Sequence, residues 1–117
     1  MPSRDMQLLR HIQRYCVEVE MAMERFGDDK SGFIDDAVYR NAVAMPIQQI
    51  GELAKHLSDD FIEMHADIPW KQIKGIRTWF AHQYMNMDRE VIWEVMHKGI
   101  PPLKNFCTNI LESGGIE

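Results

Sequence analysis

Three residues with useful chemistry lie within eight positions of one another, in the stretch GIRTWFAHQY: Arg77, His82 and Tyr84. A histidine titrates near neutral pH and therefore serves as a general base or a general acid. An arginine keeps its charge, and its planar guanidinium matches two phosphate oxygens. A tyrosine hydroxyl donates a hydrogen bond to a phosphate or orients the histidine. Together these residues suit cleavage of RNA by the neighbouring 2′-hydroxyl, a route that needs no metal or other cofactor.

The spacing of Arg77 and His82 poses a geometrical problem. Positions five apart on an α-helix differ by roughly 140° in direction, so the two cannot share one face of a regular helix. Either the helix loosens near His82, or a second copy of the chain completes the site. A two-fold dimer would supply two arginines and two histidines, and therefore both a base and an acid. The other interpretation is a buried helix with a few satisfied polar side chains.

The composition is typical of a globular protein without a membrane-spanning helix. The chain has 117 residues, of which 45% are hydrophobic and 26% charged, as expected for one globular domain over 1–117. It has no apolar run of the roughly 20 residues that a membrane helix needs, and its N-terminus does not resemble a signal peptide. Cys16 and Cys107 lie in apolar helical patterns, so we expect reduced thiols in a cytoplasmic protein. A net charge of -5 argues against general nucleic-acid affinity, although Lys and Arg outnumber Asp and Glu in 70–98.

Apolar residues recur at steps of three and four along most of the chain, which indicates helices. A first helix covers about 5–26, and the polar stretch 27–32 predicts a turn. Asp35 or Asp36 then caps a second helix. Pro46 lies inside that helix, so we expect a kink there.

The second half of the chain has the same pattern. The stretch SDDF at 58–61 ends the second helix and starts a short turn of its own. Pro69 suits the first position of a third helix, and Asp88 caps a fourth that 99–102 interrupts before a final helical segment. No stretch alternates like a strand. We predict an all-α protein, an antiparallel up-and-down helical bundle of four main helices with the last one kinked.

The stretch Arg77-x4-His82-x-Tyr84 resembles the R-x4-H-x-Y motif of HepT-like proteins in the HEPN superfamily. The resemblance covers nearly the whole chain, because three flanking segments are similar in the same order: IGELAKHLSDDF (50–61), IPWKQIKGIR (68–77) and DREVIWEVMHKGIPPL (88–103). It implies an all-helical homodimer whose arginine and histidine line a cleft between the subunits.

The resemblance also implies a function. The chain would be a metal-independent endoribonuclease toxin of a type VII HepT/MntA-like toxin–antitoxin pair, with RNA as its substrate and Arg77 and His82 as catalytic residues. A cognate MntA-like nucleotidyltransferase would transfer AMP to Tyr84 and silence the toxin. Thr78 departs from the family pattern, in which Asn, Asp or His commonly follows the motif arginine. This departure puts the catalytic rate in doubt more than the fold.

Two further residues are candidates for supporting roles. Glu52 occupies a typical position of the family, where it either holds Arg77 by an ion pair or forms part of the solvated surface. Lys74 contributes to the local basic excess and lies three residues before Arg77.

Three other functions remain open. The first is a non-catalytic helical partner or substrate-binding subunit of a nucleotidyltransferase. The second is a metal site in the bundle, since Glu94-x-x-His97 has the spacing of di-metal carboxylate proteins and Glu52 and His56 are one helical turn apart. The third is a ligand pocket built from the three tryptophans and nine methionines, although core or dimer packing explains these residues more simply.

Overall fold

The structure, a computed structural model, describes residues 3–83 and 88–113, with the backbone alone at 81–83. Every regular element in these residues is helical, and no β-strand occurs among them, which confirms the predicted all-α class. The elements, in chain order, are α1 (Arg4–Phe26), α2 (Lys30–Asp35), α3 (Ala37–Ala54), α4 (Asp59–Met64), α5 (Trp70–Gln83), α6 (Arg89–Glu94), a π-helical turn (Val95–Gly99) and α7 (Ile100–Glu112).

Polar side chains determine where most of these helices begin. Each such side chain accepts a hydrogen bond from a backbone amide of the first turn, which otherwise has no partner in the helix. The capping residues are Ser3, Asp29, Asp36, Ser58 and Asp88. The predicted caps of the second and fourth main helices, at Asp36 and Asp88, are confirmed.

The predicted turn over 27–32 is wrong in its second half. Asp29 accepts a hydrogen bond from the Gly32 amide at 2.9 Å and so caps the short helix α2, which begins at Lys30. Phe33 anchors this helix, because its ring is fully buried and packs edge-on against Tyr39 with centroids 4.9 Å apart. A polar cap and a single buried aromatic residue are therefore enough to turn this polar stretch into a helix.

The interruption predicted at 99–102 is not a break, because a widened helical turn over Val95–Gly99 leads directly into α7, which begins at Ile100. The Ile100 amide donates to the Val95 carbonyl, five residues back, and the chain continues directly into α7. Pro101 and Pro102 have no amide hydrogen, so they fit at the start of α7 but cannot continue the hydrogen-bond pattern of α6. The π-helical turn therefore joins α6 to α7 without a loop, even though Pro101 and Pro102 lack amide donors.

Two other proline predictions have different outcomes. Pro69 lies one position before α5, where its carbonyl accepts a hydrogen bond from the Ile73 amide, so the predicted start is one residue early. Pro46 lies inside α3, which is one continuous helix from Ala37 to Ala54. The kink expected at Pro46 remains a prediction.

The core lies where α3 and α1 meet, with α5 packed on α3 and α7 packed on α1. Each long helix contributes a stripe of fully buried apolar side chains, as the periodicity of the sequence predicts. On α1 and α3 the stripe includes Leu9, Ile12, Cys16, Val19, Tyr39, Val43, Ile47 and Ile50. Helix α3 therefore lies between the body of the bundle and α5, the helix that carries Arg77.

Gly51 marks the place where α3 and α5 come closest. A Cβ atom at Gly51 would lie 3.0 Å from the Ile73 carbonyl oxygen and 3.1 Å from the Arg77 amide nitrogen, both of them backbone atoms. Such distances are tighter than most Cβ contacts in packed interiors, so a side chain here would require the neighbouring backbone to shift by a few tenths of an ångström. The absence of a side chain at Gly51 therefore allows α5 to lie against α3, which brings the next residue, Glu52, beside Arg77.

Candidate active site

Arg77 of α5 forms an ion pair with Glu52 of α3. The Nε atom of Arg77 lies 3.0 Å from Oε2 of Glu52, and the two side chains are 49% and 40% exposed. Of the two roles open to Glu52 from the sequence, the ion pair is the one present. Glu52 Oε2 is itself shielded from solvent but accepts no well-aligned hydrogen bond from the described residues. The contact is therefore mainly electrostatic and does not lock the guanidinium in one orientation.

The edge of Arg77 that Glu52 contacts matters for chemistry. Glu52 approaches Nε, the guanidinium nitrogen nearest the side-chain stem. The two terminal nitrogens, Nη1 and Nη2, form no ion pair or hydrogen bond with other residues in the described part of the chain. Two parallel N–H donors on one planar group match two oxygens of a phosphate. Glu52 thus contacts Arg77 on its stem side, and the Nη edge has no partner among the described residues.

A second cation, Lys55, contacts the same carboxylate. Its Nζ atom lies 3.8 Å from Oε2 of Glu52, one helical turn away in sequence. Lys74, predicted as a supporting residue, lies half-buried on α5 one turn before Arg77. Reasoning from the sequence missed Lys55, although its spacing of three residues from Glu52 is a signal for an ion pair on a helix.

Thr78 is exposed on α5, directly after Arg77. Adjacent residues on a helix point about 100° apart, so Thr78 and Arg77 do not face each other. The Thr78 hydroxyl forms no hydrogen bond with the rest of the described chain. Its contribution to the site is therefore a prediction only.

The structure describes only the backbone of His82 and does not describe Tyr84. The backbone of α5 remains α-helical through Gln83, so His82 lies within an unbroken helix. Its side chain and the whole of Tyr84 lie outside the described residues. Of the two solutions to the spacing problem, a loosened helix near His82 is not found up to Gln83. The roles of His82 and Tyr84 remain predictions.

The Glu94-x-x-His97 pair makes structural contacts rather than the contacts of a metal site. Glu94 pairs with Lys98 at 2.9 Å, and this hydrogen bond lowers the pKa of the Glu94 carboxyl and raises that of the Lys98 amine. The His97 ring contacts the Trp93 carbonyl oxygen at 2.9 Å and Asp28 Oδ1 at 2.6 Å, one through each nitrogen. Across 3–80 and 88–113, no three His, Cys, Asp or Glu side chains cluster as a metal site would require.

The tryptophans do not form a shared pocket. Trp70 is buried and donates a hydrogen bond from Nε1 to the His65 carbonyl at 3.0 Å, and Trp93 packs against Phe33 with centroids 5.4 Å apart. Trp79 instead lines an apolar groove of about 220 Å³ between α5 and α6. The other groove residues are Ile47, Gln72, Gly75, Ile76, Phe80, Val91, Ile92 and Val95.

The two cysteines are free thiols buried in the core. Burial raises the pKa of both Cys16 and Cys107 to about 12. Because the thiolate is the nucleophilic form, neither residue is suited to nucleophilic chemistry at neutral pH. Both agree with the predicted role as reduced core residues.

The chain is similar, along most of its length, to a family and to individual proteins that are described as ribonucleases. The family described as "Ribonuclease HepT-like" matches residues 9–110. "Putative RNase TTE0752" of Caldanaerobacter subterraneus subsp. tengcongensis is 35% identical over 105 residues, covering 89% of this chain and 91% of that protein. "Probable ribonuclease HepT" of Thermococcus cleftensis is 33% identical over 72 residues, covering 62% and 66% respectively. No solved structure matches the chain significantly.

None of the helices within the described residues is long and apolar enough to cross a membrane.

Proposed function

Since the chain belongs to the HepT-like ribonuclease family of the HEPN superfamily, we propose that it is a metal-independent endoribonuclease acting in the cytoplasm as one domain over 1–117. The observation that carries this proposal is the Arg77–Glu52 pair, with Nε at 3.0 Å from the carboxylate and the Nη edge open. An arginine held by its stem side and exposed on a helix is arranged to receive a phosphate.

The reaction proceeds by attack of the substrate's own 2′-hydroxyl. A base removes the hydroxyl proton, the oxygen attacks the adjacent phosphorus, and the bond from phosphorus to the 5′-oxygen breaks. An acid then supplies a proton to that leaving oxygen, giving a 2′,3′-cyclic phosphate and a 5′-hydroxyl. His82 transfers these protons, while Arg77 stabilises the additional negative charge of the transition state. Tyr84 assists by orienting the substrate or His82.

The active form in this proposal is a homodimer of antiparallel up-and-down helical bundles. One observation in support is that α5 stays helical through Gln83, so the positions of Arg77 and His82 are about 140° apart on it. One histidine also cannot be both base and acid at the same moment. A second copy supplies the missing groups, and the apolar groove beside Trp79 and Val91 offers a surface for it.

As a toxin of a type VII HepT/MntA-like pair, the protein would stop growth by cutting RNA. Its partner in this proposal is an MntA-like nucleotidyltransferase that transfers AMP to Tyr84. The added nucleotide would place bulk and negative charge two residues from His82, where it would repel the RNA phosphate. Thr78 makes this copy a slower enzyme than relatives with an amide or a base after the motif arginine.

The test is cleavage of labelled single-stranded RNA and of tRNA in the presence of EDTA. We expect wild type to cleave, and both His82→Ala and Arg77→Ala to lose activity by at least about a hundredfold. Arg14→Ala is the matched control, because it also removes an exposed arginine from an ion pair with a glutamate. Activity in His82→Ala equal to that of wild type would refute the mechanism.

A second candidate is the non-catalytic partner subunit of a nucleotidyltransferase. The observation in its favour is Thr78, whose hydroxyl forms no hydrogen bond with the described chain and is neither an amide nor a base. The partner-subunit function would replace the ribonuclease function if well-folded wild-type protein leaves every RNA intact. Thr78→Asn would then be the first variant to test for restored cleavage.

A further inference from the structure

The carboxylate of Glu52 lies between two cations from different parts of the bundle. Its Oε2 atom is 3.0 Å from Arg77 Nε on α5 and 3.8 Å from Lys55 Nζ, directly after α3. Because both nitrogens contact the same oxygen, the distance between Arg77 Nε and Lys55 Nζ is at most the sum of these two distances. Two cations share one carboxylate, so the cluster keeps a positive charge in a chain whose net charge is -5.

The contact between Lys55 and Glu52 is loose. A distance of 3.8 Å is too long for a hydrogen bond, and the Lys55 side chain is 39% exposed. Lys55 forms no second ion pair with any other residue that the structure describes. An exposed pair of this kind contributes little to folding stability. Lys55 can therefore bind a ligand at little cost to the stability of the fold.

We propose that Lys55 binds the RNA phosphate next to the one that Arg77 contacts, and so acts as a substrate-positioning residue. This inference rests on the proposed ribonuclease function, which places the scissile phosphate at Arg77. Proteins hold single-stranded nucleic acid by rows of positive charge that follow the backbone. A lysine carries a compact charge on a flexible side chain. It can therefore bind a phosphate without requiring one fixed orientation of the phosphate oxygens.

Glu52 has a specific part in this arrangement. It draws both cations toward one point, which reduces the repulsion between them before RNA arrives. Neither contact is a well-aligned hydrogen bond, so each cation can turn toward a phosphate without breaking a strong bond. Lys74, one turn before Arg77 on α5, extends the same positive charge. The chain thus presents cations on α5 and directly after the end of α3, where these two helices pack against each other.

Binding is tested separately from cleavage with a labelled single-stranded 2′-O-methyl oligoribonucleotide, which lacks the attacking hydroxyl and cannot be cut. Its Kd is measured as a function of salt for wild type, Lys55→Gln, Lys55→Arg and Lys98→Gln. Lys98→Gln is the matched control, because it removes a lysine from an exposed pair with a glutamate, on the π-helical turn. Thermal unfolding confirms that each variant is folded.

We expect Lys55→Gln to weaken binding about fivefold and to reduce the slope of log K against log salt by about 0.7, the value for one phosphate contact on a single strand. Lys55→Arg should bind like wild type, as should Lys98→Gln. With a cleavable RNA, Lys55→Gln should raise KM and leave kcat nearly unchanged, since it removes a contact made before the reaction.

The inference is overturned if Lys55→Gln keeps the affinity and salt slope of wild type, or if Lys98→Gln weakens binding equally. It is also overturned if wild type does not bind the oligonucleotide. A protein that binds the oligonucleotide through Lys55 but cuts no RNA refutes the proposed cleavage alone, and the phosphate site then stands without it.

Discussion

Glu52 on α3 and Arg77 on α5 are 25 positions apart in the sequence, and their Oε2 and Nε atoms lie 3.0 Å from each other. The pair is half-exposed, so it contributes at most about 1 kcal/mol to the free energy of unfolding. In the proposed mechanism its value is in keeping Arg77 beside α3, because Glu52 contacts Nε and leaves the two Nη nitrogens without a partner among the described residues. Stability and activity should therefore respond differently to its removal.

We expect Glu52→Gln to lower kcat for RNA cleavage about tenfold, because a less well-placed arginine stabilises the transition state less. The KM for RNA should stay the same or fall, since removal of the carboxylate leaves the site more positive. Steady-state kinetics separate these effects, and the unfolding temperature should change by only a few degrees. Glu94→Gln, which also breaks an exposed pair with a lysine, is the control. An unchanged kcat would show that Glu52 does not position Arg77.

We expect Gly51→Ala to lower both stability and activity. The new methyl group would lie 3.0 Å from the Ile73 carbonyl oxygen and 3.1 Å from the Arg77 amide nitrogen, so the α5 backbone must shift by a few tenths of an ångström. Such overpacking costs about 1–3 kcal/mol, which chemical denaturation measures.

Gly75→Ala is the control for the stability of Gly51→Ala and not for its activity, because Gly75 lines the groove that we propose as the dimer surface. Gly75 is also helical, and a methyl group there meets no atom within 4 Å beyond the backbone of its own helix. This substitution should raise stability by up to about 1 kcal/mol, the difference in helix propensity. Equal stability of the two alanine variants would mean that the close approach at Gly51 is not needed.

The proposed dimer predicts that Val91→Glu yields a monomer. Val91 is 42% exposed and lines the apolar groove with Trp79 and Ile76. A buried, unpaired carboxylate at an interface is strongly unfavourable, so the variant should elute at half the wild-type mass and lose cleavage activity. Val38→Glu is the matched control, because Val38 is 65% exposed at the start of α3 and outside the groove. If Val91→Glu keeps the wild-type mass and activity, the groove is not the dimer surface.

The buried thiols predict that stability falls at alkaline pH. Burial raises the pKa of Cys16 and Cys107 to about 12, from the 9.0 of an exposed thiol. Below pH 9 both states keep the thiol protons, so this stabilisation is fully present. Between pH 9 and 12 the unfolded chain loses these protons first, and each thiol lowers the free energy of unfolding by up to about 1.4 kcal/mol per pH unit.

The alkaline effect is measured by urea denaturation between pH 8 and 10. Cys107→Ala is expected to have a smaller slope of stability against pH than wild type, whatever its stability at pH 8. A slope unchanged by this substitution would show that the thiols are not responsible. The tyrosine hydroxyl of Tyr39 also has a raised pKa through burial, which acts in the same direction above pH 10.

Much of the fold follows from local rules. Helical class, the apolar stripe of each long helix and the caps at Asp36 and Asp88 could all be predicted, because periodicity and capping depend on residues within about four positions. The error at 27–32 arose because a tertiary contact decides the structure there. Residues 27–32 look like a polar turn until Phe33 is seen to be buried, and burial is decided by the neighbouring Tyr39 of α3.

For the candidate site, too, some features follow from the sequence and others depend on the tertiary structure. The sequence by itself determined which residue types could act on a phosphate, since Arg77, His82 and Tyr84 lie in one short motif and their chemistry does not depend on the fold. Only the tertiary structure decided between the two roles of Glu52, whereas the Lys55–Glu52 pair is local and its spacing of three residues could have predicted it. The physical reason is that contacts between helices depend on how closely the helices approach. Here that distance is determined by a missing side chain at Gly51 and by two backbones in contact.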